Sequence, residues 1–173
     1  MKTLIQGGRV IDPQSQLDTV ADVAIADGKI LAIGATPVGF VADTTIHAQG
    51  CIVAPGLVDL SVRLREPGHE HEGMLASELA AAVAGGVTSV VCPPDTEPVL
   101  DVPGLVEMLR YRSERLNLAR VFPVGALTRK LEGEVLTEMA ALTAAISVST
   151  SPSSLRVSAP TGNTRARFSR SER

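Results

Sequence analysis

The chain has 173 residues, of which 45% are hydrophobic and 20% charged, with a net charge of −3. This is globular composition sized for one ordinary domain, or a small domain plus part of another, and it gives no overall pull toward nucleic acid. Aromatics make up only 2%, with no Trp, so a core must be built from Ala, Val, Leu and Ile. No stretch carries the ~20 apolar residues of a membrane helix, no leader pattern opens the chain, and Cys51 and Cys92 have no disulfide or metal spacing. The expectation is a soluble, cytoplasmic chain with no membrane or nucleic-acid partner.

Residues 1–54 read as a small β subdomain, a half-sandwich of short strands at Leu4-Ile5, Arg9 to Ile11, Val20 to Ala26 and Lys29 to Ile33. Asp27-Gly28 supplies the positive φ pair of a two-residue hairpin turn. From residue 55 the pattern changes to alternating strands and helices. Gly56 to Leu64 reads as a strand and Gly73 to Ala84 as a helix with a stripe of Leu75, Leu79, Ala82 and Val83. Gly85-Gly86 reads as that helix's stop, not a phosphate loop. Val87 to Cys92 is an apolar run typical of a buried parallel strand. Pro103 to Leu118 reads as a second helix with Pro in its first turn, Ala119 to Val124 as a third strand, and Gly133 to Ala145 as a third helix. The fold class is therefore α/β: a small N-terminal sheet followed, over 55–145, by three βα units of a TIM-type barrel. An eight-stranded barrel takes about 250 residues, so the reading is a truncated one.

Residues 146–173 are different in kind, with five Arg, one Glu and many Ser. Such a segment buries too little apolar surface to offset its ordering entropy. It reads as a disordered tail or as out-of-frame coding, and Phe168 alone makes a poor stacking platform for nucleic acid.

Along Gly56 to Leu64, period-2 alternation puts Val58, Leu60, Val62 and Leu64 on one face, toward packing helices, and Asp59, Ser61, Arg63 and Arg65 on the other. A buried parallel strand leaves no water on either face, and a polar row at its C-terminal end is where barrel enzymes place chemistry.

Several motifs in order resemble the dihydroorotases, metal-dependent hydrolases of the amidohydrolase superfamily. They are Leu4 to Pro13, Pro55-Gly56-Leu57-Val58-Asp59, Leu64-Arg65-Glu66-Pro67-Gly68, Gly85-Gly86-Val87-Thr88 and Pro94-Asp95-Thr96-Glu97-Pro98, within roughly residues 1–145. The resemblance implies a barrel whose first strand carries His-x-His on zinc, and an Arg and an Asn that hold the substrate carboxylate. Here the two histidine positions are Ser61 and Arg63, and the Asn position is Asp95; Arg65 is kept. Ser is a poor zinc ligand and Arg offers no lone pair. The expectation is therefore no bound metal, no cofactor and no catalytic residue, with Arg65 and Asp95 as vestigial substrate positions. An Arg63–Asp95 ion pair in place of the metal is a further expectation. The resemblance also implies a role in pyrimidine synthesis, because some relatives with this loss of histidines look like structural partners of aspartate transcarbamoylase. Two other readings stand beside it: a divergent dihydroorotase that still opens a cyclic amide, and a remnant without function.

His69-Glu70-His71 has His-x-His spacing beyond the motif. Its plainer reading is a solvated loop. A metal there needs a third ligand, with Glu72 or Asp59 as candidates. Cys92, beside Val90 and Val91, reads as a buried thiol.

Overall fold

The computed structural model describes residues 1–147, and the Ser/Arg-rich segment falls outside them apart from its first two residues. The chain forms two compact units that part between Pro55 and Gly56.

The first unit is a five-stranded mixed sheet. Strand β1 (Lys2–Asp12) pairs antiparallel with β2 (Leu17–Ala26), which pairs antiparallel with β3 (Lys29–Gly34). On its other side β1 pairs parallel with β4 (Thr44–His47) and β5 (Ile52–Val53). The two short strands read at Leu4-Ile5 and Arg9 to Ile11 are thus one strand. A register shift between Ile5 and Gly8 breaks its pattern, with the Gly7 N–H turned to Asp22 Oδ1 at 2.9 Å. Gly8 is required there: a Cβ would lie 2.5 Å from Val53 Cγ2. The β2–β3 turn is the expected one, with Asp27 at φ 51° and Gly28 at φ 72°. Val10, Val23 and Ile25 form a small core with Ile5, Leu17, Ala21 and Val53 against it.

The second unit is a parallel sheet, β6 (Leu57–Asp59), β7 (Val87–Cys92) and β8 (Arg120–Pro123), in chain order. Helices α1 (Leu75–Ala84), α2 (Pro103–Leu116) and α3 (Met139–Ser147) supply its packing. The core joins Leu75 and Leu79 of α1, Val90 and Cys92 of β7, Val106 and Leu109 of α2, Val121 of β8 and Leu142 of α3. These are the positions at which period 3.6 meets period 2 on a shared interior. Helix α1 stops at Gly85-Gly86 as its sequence requires, Gly86 taking φ 84°. Helix α2 stops two residues earlier than Leu118 because Asn117 adopts a left-handed cap at φ 51°. No helix among the described residues is long and apolar enough to cross a membrane.

Three expectations fail here. The strand read over Gly56 to Leu64 is only Leu57–Asp59; beyond it a single backbone bond, Val62 N–H to Val91 C=O at 2.9 Å, follows β7. Its apolar face is also only half buried. Leu64 is 1% exposed and Val62 packs on the core, but Val58 and Leu60 are 60% and 75% exposed. Strand β6 is an edge strand, paired only with β7 among the described residues, so alternation alone did not guarantee a covering layer. Finally, the third helix begins at Met139, not Gly133. Gly133 takes φ 81°, Thr128 bridges Leu136, and Thr137 Oγ1 donates to the Ala126 carbonyl at 2.8 Å. Those bonds spend the backbone and hydroxyl groups on a turn before a helix can start.

Candidate functional site

At the C-terminal ends of β6 and β7 the chain forms a cleft of about 210 Å³, lined among others by Arg63, Arg65, His69, Cys92, Asp95 and Thr96. Carboxyl ends of parallel strands are where open α/β sheets and barrels build sites, because the loops there are free to vary.

Two motif loops meet at this cleft. The Glu97 N–H donates to the Pro67 carbonyl at 3.2 Å. Gly68, at φ 107°, lets them close up, since a Cβ there would stand 2.2 Å from the Glu97 carbonyl oxygen. Both loops carry a cis X-Pro bond, at Glu66-Pro67 and Glu97-Pro98.

The four residues of the polar row have separate fates. Asp59 turns onto its own strand end, its Oδ1 accepting from the Ser61 N–H at 3.0 Å. Arg63 reaches Asp95, with Nε and Nη2 at 2.9 and 2.7 Å from Oδ2, so the pair expected from the sequence is formed. Both side chains are more than a third exposed, a setting in which ion pairs add little stability. Arg65 departs from the row. It takes a left-handed φ of 63°, which breaks the strand alternation and sends its guanidinium to Glu72 Oε2 at 2.9 Å.

The residues present do not fit a zinc ion at the positions the resemblance points to. Ser61 brings a weak ligand, Arg63 a cation already engaged by a carboxylate, and Asp59 is occupied by a backbone donor. A bound Zn²⁺ needs lone pairs from Cys, His or carboxylate, and a guanidinium at that place repels it.

Sequence reading missed Glu66. It is 2% exposed; its Oε2 accepts from the Leu75 N–H at 3.1 Å, and Arg112 lies against Oε1 as an ion contact without an aligned donor hydrogen. Its carboxylate thus serves the first turn of α1, where backbone N–H groups lack partners and the helix dipole favours negative charge. The available signal was a carboxylate caught between Leu64 and Pro67 in an otherwise core-forming run.

Cys92 is buried as expected, 1% exposed. Burial pushes its thiol up to about 11. At the rim of the cleft, His69, His71 and Glu72 come together with ligand atoms within 4.8 Å of one another. Of the two third-ligand candidates, the structure thus brings in Glu72. The loop that carries them is tied down. The His69 N–H donates to the Arg65 carbonyl at 2.7 Å and the Glu72 N–H to the His69 carbonyl at 2.9 Å. The Gly68 N–H reaches both oxygens of Glu70, which holds that carboxyl below its ordinary range.

Comparison with known proteins accords with this architecture. The chain is similar in fold to amidohydrolase-superfamily enzymes. One is the L-hydantoinase (dihydropyrimidinase) from Arthrobacter aurescens (TM-score 0.64, 25% identity, covering 73% of this chain and 28% of that one). Another is molinate hydrolase (TM-score 0.55, 26% identity, covering 73% and 30%). In sequence, the family described as Dihydro-orotase-like matches residues 50–161. A dihydroorotase-like protein of Pseudomonas aeruginosa is 54% identical over 142 residues, and a dihydroorotase of Geobacter metallireducens is 42% identical over 142. Each alignment covers 82% of this chain and 34% of the relative. The chain belongs to the dihydroorotase-like family, and it spans about a third of the length of the curated relatives it matches.

Proposed function

We propose that this chain is a catalytically inactive dihydroorotase-like protein that serves pyrimidine synthesis in the cytoplasm as a structural partner of aspartate transcarbamoylase. The observation that carries the inactive reading is the Arg63–Asp95 pair. Opening a cyclic amide takes a Lewis acid and an activated water. In this family's arrangement, position 63 would carry a metal-binding imidazole and position 95 a neutral donor to the substrate carboxylate. Here a guanidinium stands at the first and an anion at the second, and each engages the other. Arg65, the remaining substrate position, is turned onto Glu72. The names of relatives lean the same way: the one at 54% identity is called dihydroorotase-like, and the one at 42% is called dihydroorotase.

The partner reading rests on the family resemblance of chains that have lost these histidines. Both parts are testable on the full chain supplied with Zn²⁺. Dihydroorotate hydrolysis and the reverse cyclisation are expected to stay at the uncatalysed rate, and turnover above it would end the inactive reading. Co-expression with aspartate transcarbamoylase of the same organism is expected to give one co-eluting complex. Separate elution would remove the partner assignment while leaving the inactive one in place.

A further inference from the structure

We propose that His69, His71 and Glu72 form a binding site for a divalent transition cation, Zn²⁺ above all, outside the position that the family resemblance assigns to metal. Glu72 Oε1 lies 3.9 Å from His69 Nδ1 and 3.8 Å from His71 Nε2. In a tetrahedral zinc site, bonds of about 2.0–2.2 Å set neighbouring ligand atoms about 3.3–3.6 Å apart. The three groups therefore stand within a few tenths of an ångström of the spacing on two sides, and the third side, within 4.8 Å, closes by rotation of the exposed His71 ring. Two imidazoles and one carboxylate are a donor set that suits zinc, and three protein ligands leave one position for water.

The surroundings orient the ligands. Arg65 grips Glu72 through Oε2, leaving Oε1 turned toward the imidazoles. This is the kind of outer partner that fixes a ligating carboxylate. Glu70, the intervening acid, is folded back onto the Gly68 N–H and so does not crowd the cation. The backbone bonds of His69 and Glu72 hold the loop in a turn that places residues 69, 71 and 72 on one side. His69 also lines the cleft, so a bound ion sits at its rim as a clasp on the loop that follows Arg65.

The test is calorimetric titration of Zn²⁺ into the metal-free full chain, with the ring-nitrogen NMR signals of the histidines followed in parallel. One equivalent is expected to bind, with shifts at His69 and His71 and none at His47. His71→Ala and Glu72→Gln are each expected to weaken binding by about 10- to 100-fold or more. The side chain of His71 is 75% exposed and that of Glu72 44%, so both variants keep the fold, checked by an unchanged circular dichroism spectrum. No uptake by the wild-type chain overturns the proposal, and so does uptake of unchanged affinity in both variants, which would assign the ion to Cys51 or His47.

Discussion

Glu66 and Cys92 are two buried polar groups that the environment treats in opposite ways. Glu66 is kept inside by the first N–H of α1, which donates to Oε2, and by the Arg112 cation lying against Oε1. Replacing it with Ala leaves that N–H without its acceptor, while the half-exposed Arg112 recovers water. We expect Glu66→Ala to lower stability by about 1–3 kcal/mol, read as a shift of the urea midpoint. At Cys92 burial outweighs the backbone bond from Leu64 and the charge of Arg63, so its thiolate is disfavoured. Iodoacetamide at pH 8 should modify the partly exposed Cys51 and spare Cys92, as peptide mass mapping would show. The sign for stability follows from the raised value. The thiol's contribution is intact below its ordinary value of 9.0 and is lost as pH rises toward about 11, because the unfolded chain releases the proton first. A stability profile that is flat between pH 9 and 11 in wild type and in Cys92→Ala alike would contradict this. At this scale the sequence was partly legible. Arg63 and Asp95 were readable as a pair because both stand at motif positions of opposite charge. The His69, His71 and Glu72 cluster was not resolved, because period-2 or period-3.6 reasoning does not say how an irregular turn folds.

The elements that were legible are those whose local chemistry admits one outcome. Asp27-Gly28 takes the positive φ pair it was read for, and Val87–Cys92 is a strand at the bounds read. The elements that were overread lacked a tertiary partner or lost to one. Residues 60–64 alternate like a strand but have one backbone bond to β7, and residues 133–138 have helical composition but are held by the Thr128 and Thr137 bonds. Between the elements, the contact of the two motif loops depends on the missing side chain at Gly68. Gly68→Ala must push the Glu97 carbonyl away and hold a non-glycine residue at φ 107°. A loss of about 1–3 kcal/mol is expected, with an unchanged urea m-value as the sign that the fold itself survives.

At the scale of the whole molecule, the parallel sheet has β6 and β8 as its edges among the described residues, and the β6 side shows Leu57, Val58 and Leu60 to solvent. Exposed apolar edge strands template association. Light scattering of the purified chain should therefore rise with concentration, and Leu60→Lys should suppress the rise without moving the unfolding midpoint. Equal scattering by both proteins would place the association elsewhere. A cooperative urea transition by circular dichroism would also separate a folded chain from a remnant, which would unfold without a midpoint. The three-strand sheet was readable from the βα alternation. Its uncovered strand was not, because hydrophobic periodicity reports which face wants burial and is silent about what lies against it.

The Arg63–Asp95 pair also bears on ancestry and return. If the lineage once held the family's two histidines and asparagine, going back takes changes at Ser61, Arg63 and Asp95. Restoring histidine at 63 alone strips Asp95 of its cation and still leaves serine beside it. Restoring asparagine at 95 alone leaves the guanidinium facing the place where the metal would sit. On the inactive reading proposed above, no single one of these changes restores the family's metal and substrate positions, so the pair would act as a ratchet against a one-step return.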